Sequence, residues 1–304
     1  MPRYNRSHVK ILVTGGTGFV GWQVVRAAVS SGGEVVSLSR GVQRGGHAYP
    51  VRNVRVDLVR PQGLLEALAG VTGVVHAAGI LREDKGQDLE RAHVGATANL
   101  VEACRRAGVD KIVHLSALGA HAKSPSPYLR RKWEAERVIE SSGLPYTIFR
   151  PSLIFGAGDR VVGPLLTISR YSPVIPLLGD SSAKVQPIWV GDVATAALRA
   201  LKDRSTDGAI YELGGPLAMS IADVVETIRS ETGRRAFPLR VPAFLSSSLV
   251  RLGEQLLSHP LVTEDQLMLL VAGGTCDPNP AAVTFGLRMR ALADVLPEYE
   301  SRAA

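Results

Sequence analysis

VTGGTGFVG, residues 13–21, is the stretch of this chain that decides its fold. Gly15, Gly18 and Gly21 stand three residues apart, between an apolar run and a segment with helical periodicity. At the first strand-to-helix turn of an α/β chain, such glycines permit a tight turn, close approach of the backbone to a pyrophosphate, and close packing of helix on sheet. A plain tight turn is the alternative. The stretch predicts a dinucleotide site at the N-terminus of the first helix.

Apolar, β-branched runs alternate with helical patterns from residue 9 to about residue 150. The predicted strands are VKILVT, EVVSL, NVRVD, GVVHAA, KIVHLS and YTIFR. Between them lie segments such as GFVGWQVVRAAVSSG and LERAHVGATANLVEACRRAG, which carry apolar residues at three- and four-residue spacing and end in glycine. This alternation predicts an α/β fold: a doubly wound, Rossmann-type parallel sheet with helices on both faces.

The pattern changes near Arg150, where stretches rich in proline and glycine replace the regular alternation. We predict a dinucleotide-binding domain over residues 1–150. Residues 189–215 are expected to rejoin it through the helix DVATAALRAL and the strand AIYELGG. Residues 151–304 are predicted to form a smaller, mainly helical C-terminal lobe for a substrate or a partner.

Composition limits the functional classes. Of the 304 residues, 45% are hydrophobic and 21% are charged, enough for one large core or two unequal ones. The net charge of +7 comes mainly from scattered arginines, which indicate a solvated surface, an anionic cofactor or an acidic membrane surface. Aromatic residues make up 5% and form no basic stripe with stacking side chains, so we predict no nucleic-acid partner.

Location and metal content are predicted from features that the sequence lacks. No apolar stretch approaches the ~20 residues of a transmembrane helix, and the N-terminal MPRYNRSHVK has no signal-peptide pattern. We expect a soluble chain in the cytoplasm, or a peripheral protein at the inner face of the membrane. Cys104 and Cys276 fit neither a disulfide framework nor a metal-ligand spacing, so no metal site is predicted.

The end of the second predicted strand bears on the choice of dinucleotide. NAD sites usually carry Asp or Glu there for the ribose 2′-hydroxyl, whereas this chain has Ser39 and Arg40, with Arg44 close behind. A guanidinium can bind a 2′-phosphate through two hydrogen bonds, so the sequence favours NADP(H) over NAD(H). The alternative is that Arg40 and Arg44 are ordinary loop cations.

Asp57 and His76 stand at the ends of the third and fourth predicted strands. The Asp57 carboxylate could accept from an adenine amino group or cap the next helix, and the sequence does not separate these roles. The residues after His76 are small, which would let a cofactor lie across the strand ends. We interpret His76 itself as a packed strand residue rather than a catalyst.

The stretch PYLRRKWEAE places Tyr128 and Lys132 four residues apart at the start of a helix, after the fifth strand. On one helix face, the Lys132 ammonium is expected to lie near the Tyr128 phenol, lower its pKa and bond a ribose hydroxyl. A tyrosine placed in this way can exchange a proton with a carbonyl group. The alternative for an isolated pair is a surface tyrosine with charged neighbours, and the position after the fifth strand favours the catalytic interpretation.

Several motifs together resemble a known superfamily. VTGGTGFVG, HAAG, YLRRK and RPSLIFGAGD are similar to the motifs of the extended and atypical short-chain dehydrogenases/reductases, and they occur in the same order. More narrowly, HLSALGA, SPYLRRKWEAE, QPIWVGDVA, YELGGP and VLPEYE resemble the atypical, epimerase/dehydratase-like branch that contains the NADPH-binding accessory subunit of mitochondrial complex I and its bacterial relatives. The resemblance covers nearly the whole chain.

The resemblance implies a set of cofactor contacts. The residues that would cradle the pyrophosphate are Gly15, Thr17, Gly18, Phe19, Val20 and Gly21. Those that would border the adenine are Asp57 and Leu58. Those that would line the ribose and the nicotinamide are Ala78, Gly79, Tyr128, Lys132, Pro151 and Ile154.

This sequence departs from the superfamily at one catalytic position. Active members carry a Ser or Thr one or two residues after the serine that ends the fifth strand, where it helps to polarise the substrate carbonyl. Ala117 and Leu118 stand there in this chain. Ser116 ends the strand and is the remaining candidate, although it would need a shift of the backbone. We interpret Ser124 and Ser126 as turn residues beside prolines.

The resemblance implies an NAD(P)H-dependent oxidoreductase with a carbonyl or quinone-like substrate, in which Tyr128 donates a proton and Lys132 tunes its pKa and anchors the ribose. One alternative is a non-catalytic, NADPH-binding structural or assembly factor of a respiratory or quinone-synthesis complex. Another is an NAD-dependent sugar-nucleotide epimerase or dehydratase. The amphipathic stretch that begins at Phe244 forms either the core of the C-terminal lobe or a contact for a quinone, a membrane surface or a partner protein.

Overall fold

The structure is a computed structural model that describes residues 10–41, 51–81, 88–177, 183–241 and 274–300. Two compact units divide the chain. The first comprises residues 1–150, 193–211 and 283–287, and the second comprises residues 151–192, 212–282 and 288–304. Arg44 and the whole amphipathic stretch that begins at Phe244 lie outside the described residues.

Strands and helices alternate through the first half of the chain. The strands are β1 (Lys10–Thr14), β2 (Glu34–Ser39), β3 (Val51–Arg55), β4 (Gly73–His76), β5 (Lys111–Leu115), β6 (Tyr146–Pro151), β7 (Ile154–Phe155), β8 (Val174–Leu177), β9 (Lys184–Val185), β10 (Ile188–Trp189), β11 (Ala209–Leu213), β12 (Met219–Ser220) and β13 (Phe237–Arg240). The helices are α1 (Phe19–Ser30), α2 (Leu64–Ala67), α3 (Ala96–Ala107), α4 (Pro127–Glu140), α5 (Val162–Tyr171), α6 (Val190–Lys202), α7 (Ile221–Thr232), α8 (Asn279–Thr284) and α9 (Leu292–Glu300).

Seven of these strands form one sheet, in the spatial order β3-β2-β1-β4-β5-β6-β11. Every neighbouring pair from β3 to β6 is parallel. β11 runs in the same direction, because Gly208 N donates to Tyr146 O at its start and Ser152 N donates to Leu213 O at its end. The predicted doubly wound, Rossmann-type fold is confirmed. The strand order reverses between β1 and β4, and ligands of such sheets bind at this reversal.

The centre of the sheet is buried on both faces. All residues of β4 and β5 are buried, which explains why these strands are nearly continuous apolar runs in the sequence. One face packs against α2, α3 and α4 through a cluster that includes Leu12, Leu100, Ile112 and Ile139. The apolar side of α1 is buried as well. The rigid sheet fixes the positions of the residues that follow its carboxyl ends.

Two local predictions need correction. The third strand ends at Arg55 rather than at Asp57, so Asp57 lies in the turn that follows, where Arg60 N donates to its carbonyl. The helix predicted from Leu89 contains a π-helical turn over Arg91–Gly95 before α3 begins. Such turns are rare and frequent at functional sites, and simple periodicity does not reveal them.

The second unit contains three short strand pairs that periodicity did not predict: β7 with β10 and β8 with β13, both parallel, and β9 with β12, antiparallel. Two-residue strands are too short to carry an alternating pattern. Its main core includes Phe155, Leu166, Ile228 and Val295, from β7, α5, α7 and α9. Within the described ranges, no helix has the length and apolarity that a membrane crossing requires.

Tyr299 ties the C-terminal helix to the start of α5. Its buried hydroxyl donates to the Asp159 carboxylate and accepts from Gly156 N at 2.7 Å. The same carboxylate accepts from the N–H groups of Val161 and Val162 at 2.7 Å, so one buried acid caps α5 and anchors α9. Loss of the phenol oxygen would leave the Gly156 N–H and one carboxylate oxygen without this partner.

We expect Tyr299→Phe to lower the free energy of unfolding by about 1–3 kcal/mol, because it removes two buried hydrogen bonds of the Tyr299 hydroxyl. Urea denaturation followed by circular dichroism measures this change. Tyr171→Phe is the matched control, since Tyr171 is 85% exposed and should unfold like the wild type. Equal stability of Tyr299→Phe and wild type would contradict the assigned role.

Candidate functional site

The glycine-rich turn joins β1 to α1 with no space for side chains. Gly15 has a φ of +67°, and a Cβ there would lie 3.0 Å from the backbone of Ala77 and Ala78. Gly18 N donates to Gly15 O at 2.8 Å. A Cβ on Gly21 would lie 2.2 Å from that same oxygen, so α1 packs directly on the turn. The tight turn and the close helix packing predicted for Gly15 and Gly21 are therefore both present in the structure.

Gly16 has a role that the sequence argument missed. A Cβ at Gly16 would lie 2.3 Å from Ser37 Oγ on β2, so the turn also depends on close contact with the neighbouring strand. The glycine pair in VTGGTG was the available signal, but only its first member belongs to the three-residue spacing.

The backbone N–H groups at the N-terminus of α1 have no side-chain cap. Its N-cap is Gly18, which has no side chain to accept from them, and the first turn carries no acidic residue. Thr17 and Gly18 are exposed, whereas Phe19 and Val20 are half-buried. A helix start with free N–H groups and a positive dipole end suits an anion. The residues present fit the pyrophosphate of a dinucleotide.

The ends of β2 and β3 bring two arginines together. Arg40 follows β2 and is exposed, and its carbonyl accepts from Arg55 Nε at 3.1 Å. Arg55 is also exposed and pairs with Ser39 in the sheet register. Arg55 was not predicted from the sequence, because only the parallel pairing of the strands places it beside Arg40.

Asp57 forms a local turn rather than a helix cap. Its Oδ1 accepts from Val59 N at 3.0 Å, and the N-cap of α2 is Gly63, so the helix-capping alternative is wrong. Leu58 is buried, and its carbonyl accepts from Asn99 Nδ2 at 2.8 Å. Both residues lie just beyond the carboxyl end of β3, and their proposed adenine contacts stay predictions.

A directed chain of hydrogen bonds crosses the sheet where the strand order reverses. The His93 carbonyl can only accept, so Thr97 Oγ1 donates its one hydrogen to that carbonyl. The Thr97 hydroxyl must therefore accept from His76 Nε2 at 3.0 Å. Burial lowers the pKa of His76 to about 3, so its ring is neutral and Nδ1 accepts from Thr14 Oγ1 at 2.7 Å. Thr14 Oγ1 in turn accepts from Ala78 N at 3.1 Å. His76 is thus a packed, neutral residue, as we interpreted it.

His93 supports the segment that follows β4 and also touches Tyr128. Its Nε2 donates to Ile80 O at 2.7 Å, and its ring meets the Tyr128 ring edge-on, with centroids 5.5 Å apart. A Cβ on Gly79 would lie 2.6 Å from the His93 ring, so only glycine fits there. Ala78 is half-buried beside it. His93 lies in the π-helical turn Arg91–Gly95, which the sequence pattern did not predict.

Tyr128 and Lys132 occupy the first two turns of α4, which begins with Ser126 as N-cap and Pro127 as its first residue. Lys132 Nζ lies 6.0 Å from the Tyr128 ring centroid and donates to Leu115 O at 2.7 Å. Lys132 is buried, which lowers its pKa to about 8, partly offset by the carboxylate of Glu136. The ammonium is therefore held between α4 and the end of β5.

The expected effect of Lys132 on Tyr128 is wrong. Burial raises the pKa of the Tyr128 phenol, and Lys132, whose Nζ lies 6.0 Å from the ring centroid, does not offset this. Desolvation of the phenolate outweighs attraction by a cation at this distance. The phenol is protonated at neutral pH and can act as a proton donor.

One helical turn beyond Lys132, a buried ion pair fixes α4 to β6. Glu136 is fully buried and accepts from Arg150 Nε at 2.9 Å and from Arg150 Nη2 at 2.6 Å. Such bidentate pairs have strict geometry. The pair holds the helix in register with the sheet and so positions Tyr128 and Lys132.

The serines after β5 have different environments. Ser116 is buried, and its Oγ has no hydrogen-bond partner. Ser126 caps α4 through Leu129 N, and Ser124 N donates to His121 O in a turn, so both have the turn roles that we predicted. Ala117 and the adjacent leucine offer no hydroxyl to a substrate.

Two predicted nicotinamide contacts, Pro151 and Ile154, belong to the second unit. Pro151 ends β6, and Ile154 begins β7, which pairs with β10. Their contribution to a cofactor site stays a prediction. No group of His, Cys, Asp and Glu among the described residues could hold a metal ion.

A glycine cradle, an uncapped helix start and the Tyr–Lys pair therefore meet at the carboxyl ends of the strands of the first unit. The model of the NAD dependent epimerase/dehydratase family matches residues 11–214. This chain belongs to that family. The match covers the central sheet from β1 to β11, and members of the family bind NAD(P).

Curated relatives of this family member have diverse names. The chain is 30% identical over 234 residues to the Arabidopsis thaliana mitochondrial NADH dehydrogenase [ubiquinone] 1 alpha subcomplex subunit 9, covering 74% of this chain and 58% of that protein. It is 29% identical to the photosystem II assembly factor Ycf39 of Cyanophora paradoxa, over 78% of this chain and 73% of that one. It is 31% identical to the 2-alkyl-3-oxoalkanoate reductase of Stenotrophomonas maltophilia, over 62% and 64%.

Solved structures share the fold of this family member. A structure of MoeE5 in complex with UDP-glucose and NAD aligns with a TM-score of 0.77, at 24% identity, over 97% of this chain and 99% of that one. UDP-glucuronic acid 4-epimerase from Bacillus cereus, with UDP-glucuronic acid and NAD, aligns with a TM-score of 0.75 at 19% identity, over 97% and 100%. At these identities, the likeness establishes the architecture alone.

We expect Lys132→Met to stabilise the cofactor-free protein by about 1–3 kcal/mol at pH 7, because it removes a buried ammonium whose charge is costly there. NADPH affinity should fall in the same variant. Lys111→Met is the matched control, since Lys111 is also buried but is held by Asp207 at 2.6 Å and by Thr206 Oγ1 at 2.9 Å. That variant should lose about 1–3 kcal/mol, because it breaks a partly buried ion pair.

The pH dependence provides a second check. The folded Lys132 has a pKa near 8 against 10.5 for the free side chain, so the unfolded chain binds more protons between these values. The free energy of unfolding of the wild type should therefore increase as the pH rises from about 8 to 10.5. Lys132→Met should lack that increase. Urea denaturation at pH 7 and pH 9.5 measures both. A Lys132→Met protein that is less stable than wild type at both values would contradict the assignment.

Proposed function

We propose that this protein is an NADPH-dependent oxidoreductase that reduces a carbonyl or quinone-like substrate. The observation that carries the proposal is the placement of Tyr128 at the start of α4, with Lys132 one turn behind it and Lys132 Nζ 6.0 Å from the Tyr128 ring centroid. The phenol carries a proton that it can donate to a carbonyl oxygen.

Each residue of the site has a distinct part in this reaction. When bound, a reduced nicotinamide would supply the hydride to the substrate carbon. Tyr128 donates its proton to the substrate oxygen and later recovers a proton from solvent. Lys132 anchors a ribose hydroxyl with the N–H groups that its bond to Leu115 O leaves available. The helix start at Gly18 holds the pyrophosphate.

The chain lacks a hydroxyl at Ala117, the usual position of a second donor to the substrate. Loss of one such donor costs on the order of 10²-fold in rate. We therefore propose a slow or narrowly specific enzyme. The relative named 2-alkyl-3-oxoalkanoate reductase, 31% identical, supports a β-keto acid as one substrate class to test.

Arg40 and Arg55 support a preference for NADPH over NADH. Both are exposed at the carboxyl ends of neighbouring parallel strands, where the adenosine ribose would lie if the pyrophosphate bound at α1. No acidic side chain follows β2, so a 2′-phosphate would meet cations rather than a carboxylate.

A second function is favoured by specific observations. A relative 30% identical is named as a complex I subunit, another 29% identical is named as an assembly factor, and Ala117 occupies a catalytic position. The alternative proposal is a cofactor-binding protein without turnover that docks on a membrane-associated complex. The solved relatives with bound UDP-sugars carry the fold but no argument for epimerisation by this chain.

We expect Arg55→Gln and Arg40→Gln each to weaken NADPH binding by about 10-fold, with little effect on NADH, because each removes one charged contact to a phosphate. Fluorescence titration of the reduced nicotinamide measures both constants. Arg52→Gln, an exposed arginine on the same strand as Arg55, is the control and should match wild type. An equal loss of affinity for NADPH and for NADH would contradict the assignment of these arginines to the 2′-phosphate.

Turnover separates the two proposed functions. With NADPH and a panel of β-keto acids and soluble quinones, wild type should oxidise NADPH, and Tyr128→Phe should be at least about 10²-fold slower at similar cofactor affinity. Tyr171→Phe should match wild type, because its phenol is exposed in the second unit. Tight NADPH binding with no oxidation of any substrate would favour the non-catalytic function.

A further inference from the structure

Three buried side-chain atoms within the described residues have no hydrogen-bond partner: His114 Nδ1, His114 Nε2 and Ser116 Oγ. The two side chains are 1% and 5% exposed. Being two residues apart at the end of β5, they are directed to the same side of the sheet. Native proteins rarely leave buried polar atoms unpaired, and such atoms indicate a missing small ligand or water. One nitrogen of the His114 ring and Ser116 Oγ can therefore share one small polar site.

The neighbouring histidine cannot complete this site. The rings of His76 and His114 lie 5.1 Å apart, but both nitrogens of His76 are bonded, to Thr14 and to Thr97. His93 Nε2 is occupied by Ile80 O. A partner for His114 must therefore come from elsewhere.

Lys132 supplies the remaining polar atom. Its ammonium donates to Leu115 O, the carbonyl between His114 and Ser116, and has two further N–H groups. The nearby Glu136 carboxylate accepts hydrogen bonds from Nε and Nη2 of Arg150. Burial and the charge of Lys132 lower the pKa of His114 well below its usual value, so the imidazole is neutral, with one donor and one acceptor nitrogen.

We propose that the N–H of the neutral His114 ring donates to one buried water molecule, which donates to Ser116 Oγ and also accepts a hydrogen bond from Lys132. A buried water needs two to four polar partners, and these three side chains supply them. His114 is then a positioning residue: through the water it holds the ammonium at the end of β5, where the proposed function places a ribose hydroxyl. The role of Lys132 toward the cofactor rests on that proposed function, whereas the water site does not.

The water also stabilises the charged form of Lys132. The other titratable groups around it are His76 and His93, both neutral, Tyr128, which is protonated, and Glu136, which is paired. The water is the additional acceptor that a buried ammonium needs. Without it, Lys132 should lose its proton at a lower pH, and cofactor affinity should follow.

The first experiment measures NADPH affinity from pH 6 to pH 10. His114→Leu should move the midpoint of the pH dependence down by about one unit, because one charge-assisted hydrogen bond to the ammonium is lost. His114→Gln keeps a donor and an acceptor and should restore the midpoint. His121→Leu, an exposed histidine in the loop after β5, is the control and should have the wild-type midpoint. An unchanged midpoint in His114→Leu would overturn the proposal.

The second experiment needs neither cofactor nor substitution. Long-range ¹H–¹⁵N spectra of histidine-labelled wild type should show a neutral His114 ring whose N–H has a cross-peak to bound water. Absence of that cross-peak would overturn the proposal even if the variants fail to fold. If the wild type binds no NADPH at any pH, the proposed function fails, while this spectrum still decides the water site.

Discussion

The hydrogen-bond chain that runs from Ala78 N through Thr14, His76 and Thr97 to the His93 carbonyl is the constraint on which the site depends. Each side chain in it, Thr14, His76 and Thr97, donates once and accepts once, so none can reverse without leaving another group unpaired. The chain joins β1, β4 and the π-helical turn at the reversal of strand order. It fixes the segment after β4 close to the glycine turn, whose Gly15 has no space for a side chain on that side.

Three buried charged side chains of the first unit differ in how fully they are paired. Lys111 has a carboxylate, a hydroxyl and a carbonyl as partners, and Glu136 has a bidentate arginine, so both are satisfied within the protein. Lys132 has one carbonyl partner, and its pKa falls to about 8. Stability would be served by an apolar side chain at that position. A buried ammonium with incomplete solvation is typical of residues that are kept for binding or catalysis.

The sequence predicted the features that depend on local pattern. Alternating strands and helices, the glycine spacing and the Tyr128–Lys132 pair are all visible within a short window, and the fold followed from them. Arg55 and His93 were missed because their roles arise from strand register and from a π-helical turn, which no local periodicity encodes. The pKa of Tyr128 was predicted in the wrong direction, since helical spacing reports proximity to Lys132 but not the depth of burial.

The proposed function requires the site to transfer a hydride to a substrate rather than only to hold a cofactor. Single-turnover oxidation of NADPH by the wild-type protein, compared between cofactor with hydrogen and with deuterium at the transferring C4 position, distinguishes these two cases. We expect oxidation that requires the carbonyl or quinone substrate and is slowed by deuterium, with loss of the reaction in Tyr128→Phe. Bound NADPH that stays reduced with every substrate of the panel would contradict it.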